Sequence, residues 1–295
     1  LGEQILYSVT GGEYELINRQ SGQIDRRLFS NVARLVVADV SDPVRPTIIE
    51  RELGEASYPY HLDVTGGLGT SGFQAIAGEG VNLYLIGGNN LYHYDTTLPA
   101  EPNLLDTVQL PGTARDIVVD GSLIFISDTR GIQIYQLTDK RRLRLLKTIT
   151  SLELRGTTDR LFLQGNSLWA AMPNSRRFIE IELMSGYYNL VRDLPATNLA
   201  GKRFKPRDLA VHADKLFVAT GELGTVELFV LDDTGGEVVA SMNLAYLVRH
   251  GSLNASGIEL RGQTLYITGG QGDLQLFDVS GWLQAGCWLV KMPFR

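Results

Sequence analysis

The side chains best suited to chemistry occur as adjacent pairs, each directly before a short apolar segment rich in β-branched residues. Such segments are typical of β-strands. If the strands begin at one edge of the fold, the paired side chains form one surface, which either binds a ligand or partner or closes through Arg–Asp ion pairs. The residues of this candidate surface are Tyr60 with His61, Arg115 with Asp116, Asp159 with Arg160, and Arg207 with Asp208.

Nothing else in the sequence predicts a catalytic or metal site. The single cysteine, Cys287, excludes an internal disulfide and a cysteine-based zinc site. The chain has no nucleophile elbow, zinc-protease helix motif, phosphate-binding loop or calcium loop. We therefore predict no catalytic residues, no metal and no cofactor. The histidines are scattered without metal-ligand spacing, at His61, His93, His212 and His250.

One glycine-rich segment resembles a dinucleotide-binding fingerprint in its sequence pattern but not in its predicted secondary structure. Residues 67–72 match G-x-G-x-x-G, but such a site needs a helix to open at the glycines. Here the residues from Phe73 lead into another strand within about ten residues, with no helix between. We interpret residues 66–80 as an inserted loop, as we do residues 13–32.

A repeat organises the chain. Two apolar strands recur, each time preceded by an inner strand and followed by an outer one, with the third strand ending about every 40 to 55 residues. This period with four strands per unit is typical of a propeller blade. We predict an all-β, single-domain β-propeller over residues 1–295, with six blades of four antiparallel strands, or seven if residues outside the chain contribute. The third strands end near Val40, Thr96, Leu137, Leu183, Leu231 and Val279.

The first predicted blade lacks its inner strand. The segment from Ile5 to Gly12 matches the second strand of a blade, as does the segment from Leu265 to Gly270. The chain would thus enter the fold after its inner strand has passed. We expect it to be an excerpt of a longer protein.

Charge and hydropathy narrow the range of partners. The formal net charge is −6, whereas proteins that bind nucleic acid through its phosphates usually carry a basic surface. No run of eighteen apolar residues occurs, so we expect no membrane insertion.

Two basic clusters stand out against this acidic background. Residues 140–147 lead into an outer strand, where Lys and Arg protect an exposed sheet edge from pairing. Residues 202–207 lie in the loop before an inner strand, where they are either simply solvated or recognise an acidic group.

A family resemblance rests on the segment from Val36 to Pro46. It reads Val-Val-Ala-Asp-Val-Ser-Asp-Pro-Val-Arg-Pro and is followed by Thr47-Ile-Ile and Gly54, which resembles the LVIVD repeat. Weaker echoes begin at Asp278 and at Tyr94. The resemblance implies a bacterial, exported or surface-located propeller and carries no catalytic residues. The Gly-Gly pairs resemble kelch repeats as a second choice, although the Trp and Tyr of kelch blades are absent.

Three functions remain open at this point. The first is a non-enzymatic interaction module of an extracellular, cell-surface or periplasmic protein, binding a protein, a glycan or other domains of its own parent chain. The second is a hydrolase or lactonase whose site would draw on His61, Arg115, Asp116, Arg207 and Asp208. The third is a structural spacer within a long surface protein.

Overall fold

The computed structural model describes the chain as strands joined by short turns. It describes residues 5–10, 34–39, 47–48, 50–53, 56–59, 73–98, 102–184, 187–221, 224–232, 235–243, 255–269 and 274–283. Contacts between Cα atoms divide the chain into two compact units, Leu1–Thr148 and Ile149–Arg295. No helix within the described ranges has the length and apolar character that crossing a bilayer would require.

The first unit opens with a three-stranded antiparallel sheet and a separate hairpin. In the sheet, Ile5 lies opposite Asp39, and the middle strand pairs with both others. The strands are β1 (Ile5–Thr10), β2 (Arg34–Asp39) and β3 (Thr47–Ile48), followed by the hairpin of β4 (Glu50–Leu53) and β5 (Ala56–Pro59).

Two four-stranded meanders complete the first unit, each antiparallel with strands in chain order. We name each blade by its inner strand. The β6 blade contains β6 (Phe73–Glu79), β7 (Asn82–Gly87), β8 (Asn90–Asp95) and β9 (Asn103–Gln109). The β10 blade contains β10 (Ala114–Asp120), β11 (Leu123–Asp128), β12 (Gly131–Leu137) and β13 (Leu143–Thr150).

The second unit repeats the same meander. The β14 blade contains β14 (Arg160–Gln164), β15 (Ser167–Met172), β16 (Arg177–Met184) and β17 (Tyr187–Pro195). The β18 blade contains β18 (Asp208–His212), β19 (Lys215–Ala219), β20 (Thr225–Leu231) and β21 (Gly236–Asn243). The β22 blade contains β22 (Ala255–Arg261), β23 (Thr264–Gly269) and β24 (Leu274–Asp278), then the one-turn helix α1 (Ser280–Leu283).

These sheets confirm the predicted all-β propeller class. Five blades with an inner strand follow one another within the described residues. The predicted total of six stays a prediction, as does the single domain over residues 1–295. One assignment was wrong: we placed a loop over residues 66–80, but residues 73–79 form β6, the inner strand of its blade.

The β18 blade packs against the β14 blade on one face and against the β22 blade on the other, because alternate residues of its strands point to opposite faces. In the β18 blade, Leu209 and Val211 join a core shared with Trp169 of the β14 blade. Ala210 and Phe217 join a second core, shared with the β22 blade. Burial on both faces explains why the middle strands read as nearly continuous apolar runs. Burial of each large side chain contributes about 1.5–3 kcal/mol.

The same tight turn joins inner and second strands in all five blades. Each turn has two residues between the paired strand ends, and φ is positive only at the first, as in a type II′ turn. Four of the five turns carry glycine there. The residues are Gly80, Gly121, Gly165, Ala213 and Gly262, with φ between 53° and 60°.

Ala213 is the exception, and its replacement by glycine should stabilise the protein. Alanine at φ 53° is strained because its Cβ crowds the backbone, whereas glycine adopts this conformation freely. We expect Ala213→Gly to raise the free energy of unfolding by about 0.5–1 kcal/mol, measured by urea denaturation. An unchanged or lower value would contradict this account of the turn.

The reverse substitution in the neighbouring blade provides a matched test. A Cβ on Gly165 would meet no atom within 4 Å, so Gly165→Ala adds backbone strain without a steric clash. We expect it to lower the free energy of unfolding by about 1 kcal/mol. A neutral result would show that the turn relaxes at no cost.

Candidate functional site

All five inner strands begin with a local irregularity at an equivalent position. In the β18 blade, the amide of Arg207 donates to the carbonyl of Ala219 at 2.8 Å, and Asp208 also pairs with Ala219. In the β14 blade, Asp159 and Arg160 stand in the same relation to Ala171. Two consecutive residues therefore lie opposite one, as in a β-bulge.

The other three inner strands show the irregularity as a shift of register. The shifts fall at Gln74 in β6, Arg115 in β10 and Ser256 in β22. The pairs Arg115–Asp116, Asp159–Arg160 and Arg207–Asp208 therefore occupy equivalent positions, at bulges that redirect the side chains around them. The residues at the bulge share no sequence pattern that would predict it.

The equivalence corrects one pair. The β6 blade fills the two positions with Gln74 and Ala75, and Gln74 accepts a hydrogen bond through Oε1 from the amide of Gly88 at 2.8 Å. We had assigned this place to Tyr60 and His61 by expecting an inner strand directly after them. Tyr60 and His61 lie outside the described residues.

The Arg–Asp pairs divide their side chains between solvent and fold. In β10, Arg115 is exposed and Asp116 is buried, with 9% of its surface accessible. Arg207, directly before β18, is exposed, and Asp208, the first residue of β18, is half-buried. Asp159 and Arg160 are both half-buried. In two of the three pairs, Arg115–Asp116 and Arg207–Asp208, the arginine is thus exposed and the aspartate is at least half-buried.

Asp208 links its own blade to the next. Its Oδ2 accepts a hydrogen bond from the amide of Ile258 in β22 at 2.9 Å, and its Oδ1 accepts one from Leu209 at 3.0 Å. Gly257 lies beside this contact, where an added Cβ would come within 2.5 Å of Oγ1 of Thr268. These contacts support the structural interpretation of this carboxylate.

Arg207 lies across the backbone of a neighbouring turn. A Cβ on Gly221 would come within 2.7 Å of Cγ of Arg207, and Gly221 has φ +61°. The aliphatic stem is thus packed against a residue that has no side chain, while Arg207 as a whole remains exposed.

The two basic clusters differ in how their charges are used. In the first, Arg141 pairs with Asp95, Arg142 with Asp106 at 3.2 Å, and Arg144 donates to Gln136. The second cluster, residues 202–207, we call the basic loop. Its four cations, Lys202, Arg203, Lys205 and Arg207, have no ion pair with any residue in the described part of the chain.

The backbone of the basic loop is fixed despite its exposed charges. Phe204 is buried in the core between the β14 and β18 blades, and its amide donates to the carbonyl of Ala196 at 2.9 Å. Asn198 closes the preceding turn, because its Oδ1 accepts from the amides of Ala200 and Lys202. The loop therefore presents its cations from a defined scaffold.

Two histidines lie in the described residues, and their surroundings differ. His93 is fully buried, stacked on Tyr84 with ring centroids 4.8 Å apart, and its Nε2 lies 2.9 Å from Oδ1 of Asn82. Burial lowers its pKa below the ordinary 6.5, with nearby Asp106 and Asp95 opposing the shift and Arg141 adding to it. His212 is exposed. Within the described ranges, no group of three His, Cys, Asp or Glu could hold a metal ion.

Buried carboxyl groups elsewhere form hydrogen bonds within their own blades. Asp128 accepts from the amides of Arg130 and Gly131, which closes the turn between β11 and β12. Glu227 accepts from the hydroxyls of Thr225 and Ser241, both at 2.8 Å. Burial raises the pKa of both carboxyls, although these hydrogen bonds partly offset the effect.

A cleft of about 280 Å³ lies between the β14 and β18 blades. Its charged lining is internally paired, because Arg192 bonds the carboxylate of Glu180 and the carbonyl oxygen of Asp232. Trp169 and Gln164 also line the cleft. No sequence motif pointed to this cleft, because its residues come from five strands and two turns.

Comparison with known proteins finds the fold and no family. No protein-family model and no curated protein matches the chain. The crystal structure of a protein from Lactobacillus plantarum is similar, with a TM-score of 0.63, 14% identity, and coverage of 93% of this chain and 81% of that one.

Two further solved structures are more distant. Hsv2 from Kluyveromyces marxianus has a TM-score of 0.52 at 8% identity, covering 85% of this chain and 68% of that one. The computationally designed protein Ika8 has a TM-score of 0.50 at 10% identity, covering 83% and 65%. At these identities, the likeness shows the fold alone.

Removing the Asp208 carboxylate should destabilise the fold. Asp208→Ala leaves the amide of Ile258 without its acceptor, and we expect the free energy of unfolding to fall by about 1–3 kcal/mol. Asp208→Asn, which keeps an acceptor oxygen, should lose less. The control Glu259→Ala, on exposed β22 surface, should leave stability nearly unchanged. Equal stability of all three variants would contradict the structural role.

Acid should weaken the protein through His93. The unfolded imidazole takes up a proton as pH falls below 6.5, whereas the buried ring resists it, so the stability from neutral His93 is lost toward lower pH. We expect the stability difference between the wild type and His93→Phe to shrink from pH 7.5 to pH 5, measured by urea denaturation. A constant difference would place the His93 pKa at its ordinary value.

Proposed function

We propose that this chain is a non-catalytic interaction module, which binds a protein or glycan partner through arginines displayed where its inner strands begin. The observation that carries the proposal is the division of roles within the Arg–Asp pairs. Arg115 and Arg207 are exposed, whereas Asp116 is buried and Asp208 bonds the neighbouring blade.

The chemistry of these groups favours binding over hydrolysis. A general base needs a lone pair directed at its substrate. Both oxygens of Asp208 already accept backbone hydrogen bonds, from Ile258 and Leu209, which hold this carboxylate in the fold. An exposed guanidinium offers several donors in a planar fork, which suits the carboxylates of a protein or an acidic glycan.

The proposal extends to family and location. We propose an exported bacterial protein of the LVIVD-repeat kind with six blades. In support, β2 ends at Asp39, inside the segment from Val36 to Pro46, and β3 begins at Thr47, directly after that segment. The sheet of β1 to β3 would then supply the last three strands of a sixth blade. Fractionating cells that express the parent gene tests the location, and retention in the cytosol would refute it.

Partner capture tests the binding role. The wild type, Arg115→Ala and Arg207→Ala are immobilised separately, exposed to an extract of surface proteins and glycans from the source cells, and the bound species are quantified by mass spectrometry. Because a hydrogen bond to a charged group contributes about 1.5–3 kcal/mol, we expect at least one variant to lose a captured species about 10-fold or more.

The matched control is Arg144→Ala, which removes an exposed arginine from the outer strand β13. A species counts only when this control retains it. Equal capture by all four proteins, with their folds intact by circular dichroism, would sink the proposed function.

A further inference from the structure

The basic loop combines four cations with a fixed backbone, and the charges are local. From Leu194 to Arg207 the sequence contains no acidic residue, although the chain as a whole has a net charge of −6. The other basic cluster uses Arg141 and Arg142 in ion pairs with aspartates. The basic loop is therefore a cationic surface set in an acidic protein.

The cations alternate with anchored residues. Arg203, Lys205 and Arg207 are exposed, whereas Phe204 and Pro206 between them are buried. Alternation of this kind is typical of extended backbone, in which every second side chain points the same way. Pro206 also favours an extended conformation at Lys205. At about 3.3 Å per residue, Arg203 and Lys205 lie about 6.6 Å apart along the backbone, and Arg207 follows at the bulge that begins β18.

An extended polypeptide has the same repeat. Acidic residues at every second position of such a segment would meet the cations one for one, which a cluster of adjacent acidic residues would not. Beside the cations, the turn before the loop exposes Leu199, with 52% of its surface accessible. An apolar side chain of the segment could pack there.

The fixed backbone of the basic loop also favours binding of a partner. Phe204, Asn198 and the antiparallel bridge between Thr197 and Arg203 hold the loop before any partner arrives. Less backbone entropy is then lost when a partner binds. Positive charge on an acidic molecule also directs an acidic segment to this place.

We propose that the basic loop is a docking surface for an extended acidic segment of a protein partner, with carboxylates at alternate residues. This inference rests on the proposed function, because it names the partner chemistry of an interaction module. It adds Lys202, Arg203 and Lys205 to the binding residues and limits the partner to one class.

The test uses a defined probe. A short fluorescein-labelled peptide alternating Glu and Ser is titrated with the full chain, and binding is followed by fluorescence anisotropy. The comparison peptide has the same composition with all Glu residues before all Ser residues. We expect the alternating peptide to bind several-fold more tightly, because only its carboxylates match the spacing of the cations.

Two triple variants assign the binding to the loop. Lys202→Gln/Arg203→Gln/Lys205→Gln should weaken binding of the alternating peptide by about 5-fold or more. Arg141→Gln/Arg142→Gln/Arg144→Gln removes the same charge elsewhere and should leave it nearly unchanged. Circular dichroism of both variants confirms that they fold.

Three outcomes would overturn the inference. Equal affinity for the two peptides would show attraction without register, and equal loss in both triple variants would show dependence on net charge alone. Tighter, loop-dependent binding of a sulfated oligosaccharide would assign the surface to a glycan.

The two proposals can fail separately. If the alternating peptide does not bind while partner capture still depends on Arg115 or Arg207, the docking surface is wrong and the interaction module stands. If the peptide binds through the loop but nothing is captured, the module is wrong and the loop is an isolated anion-binding surface.

Discussion

Burial of the apolar face of a blade against the next blade is the constraint on which the rest of this structure depends, and the β18 blade is buried in this way on both faces. A strand whose two faces both pack against apolar neighbours has no solvent side to receive a charge, as Leu209, Ala210 and Val211 of β18 show in three consecutive residues. Unpaired charge in such a place would cost several kcal/mol. The candidate binding groups accordingly lie where inner strands begin and in the basic loop before β18.

Three ionisable side chains that are buried inside the blades lie on the third strand, and each has a hydrogen-bond partner. His93 in β8, Glu180 in β16 and Glu227 in β20 each bond a side chain of the same blade. None of these bonds leads to the inner-strand starts, so the buried polar groups specify how a blade pairs with itself. The third strand thus stabilises its blade, whereas the arginines where inner strands begin are exposed. The carboxylate of Asp208 also stabilises the blades, although it lies where an inner strand begins.

Much of this could be predicted from the sequence, and the failures have physical causes. Repeating apolar strands at a constant spacing predicted the propeller class, and Arg115, Asp116, Arg207 and Asp208 were correctly placed at inner-strand starts. The inner strand of the β6 blade was missed because residues 62–65 also alternate like a strand, and only pairing with β7 selects residues 73–79. The partner of Asp208 is a backbone amide fifty residues away, which leaves no trace in local sequence. Likewise, the residues next to them in the sequence cannot show that Arg141 forms an ion pair with Asp95 and that Lys205 has no ion pair within the described residues.

The extra residue at the start of each inner strand has an evolutionary consequence. Gln74, Arg115, Asp159, Arg207 and Ser256 occupy equivalent positions yet share no chemistry, since they include an amide, two cations, an acid and a hydroxyl. Because each lies outside the regular one-to-one pairing of its sheet, substitution there leaves the shared cores intact. Deletion would instead restore regular pairing and turn the residue before it, such as the buried Ala114, to the opposite face. Evolution can thus change the chemistry of this position without disturbing the packing of the blades, whereas loss of the residue would disturb it.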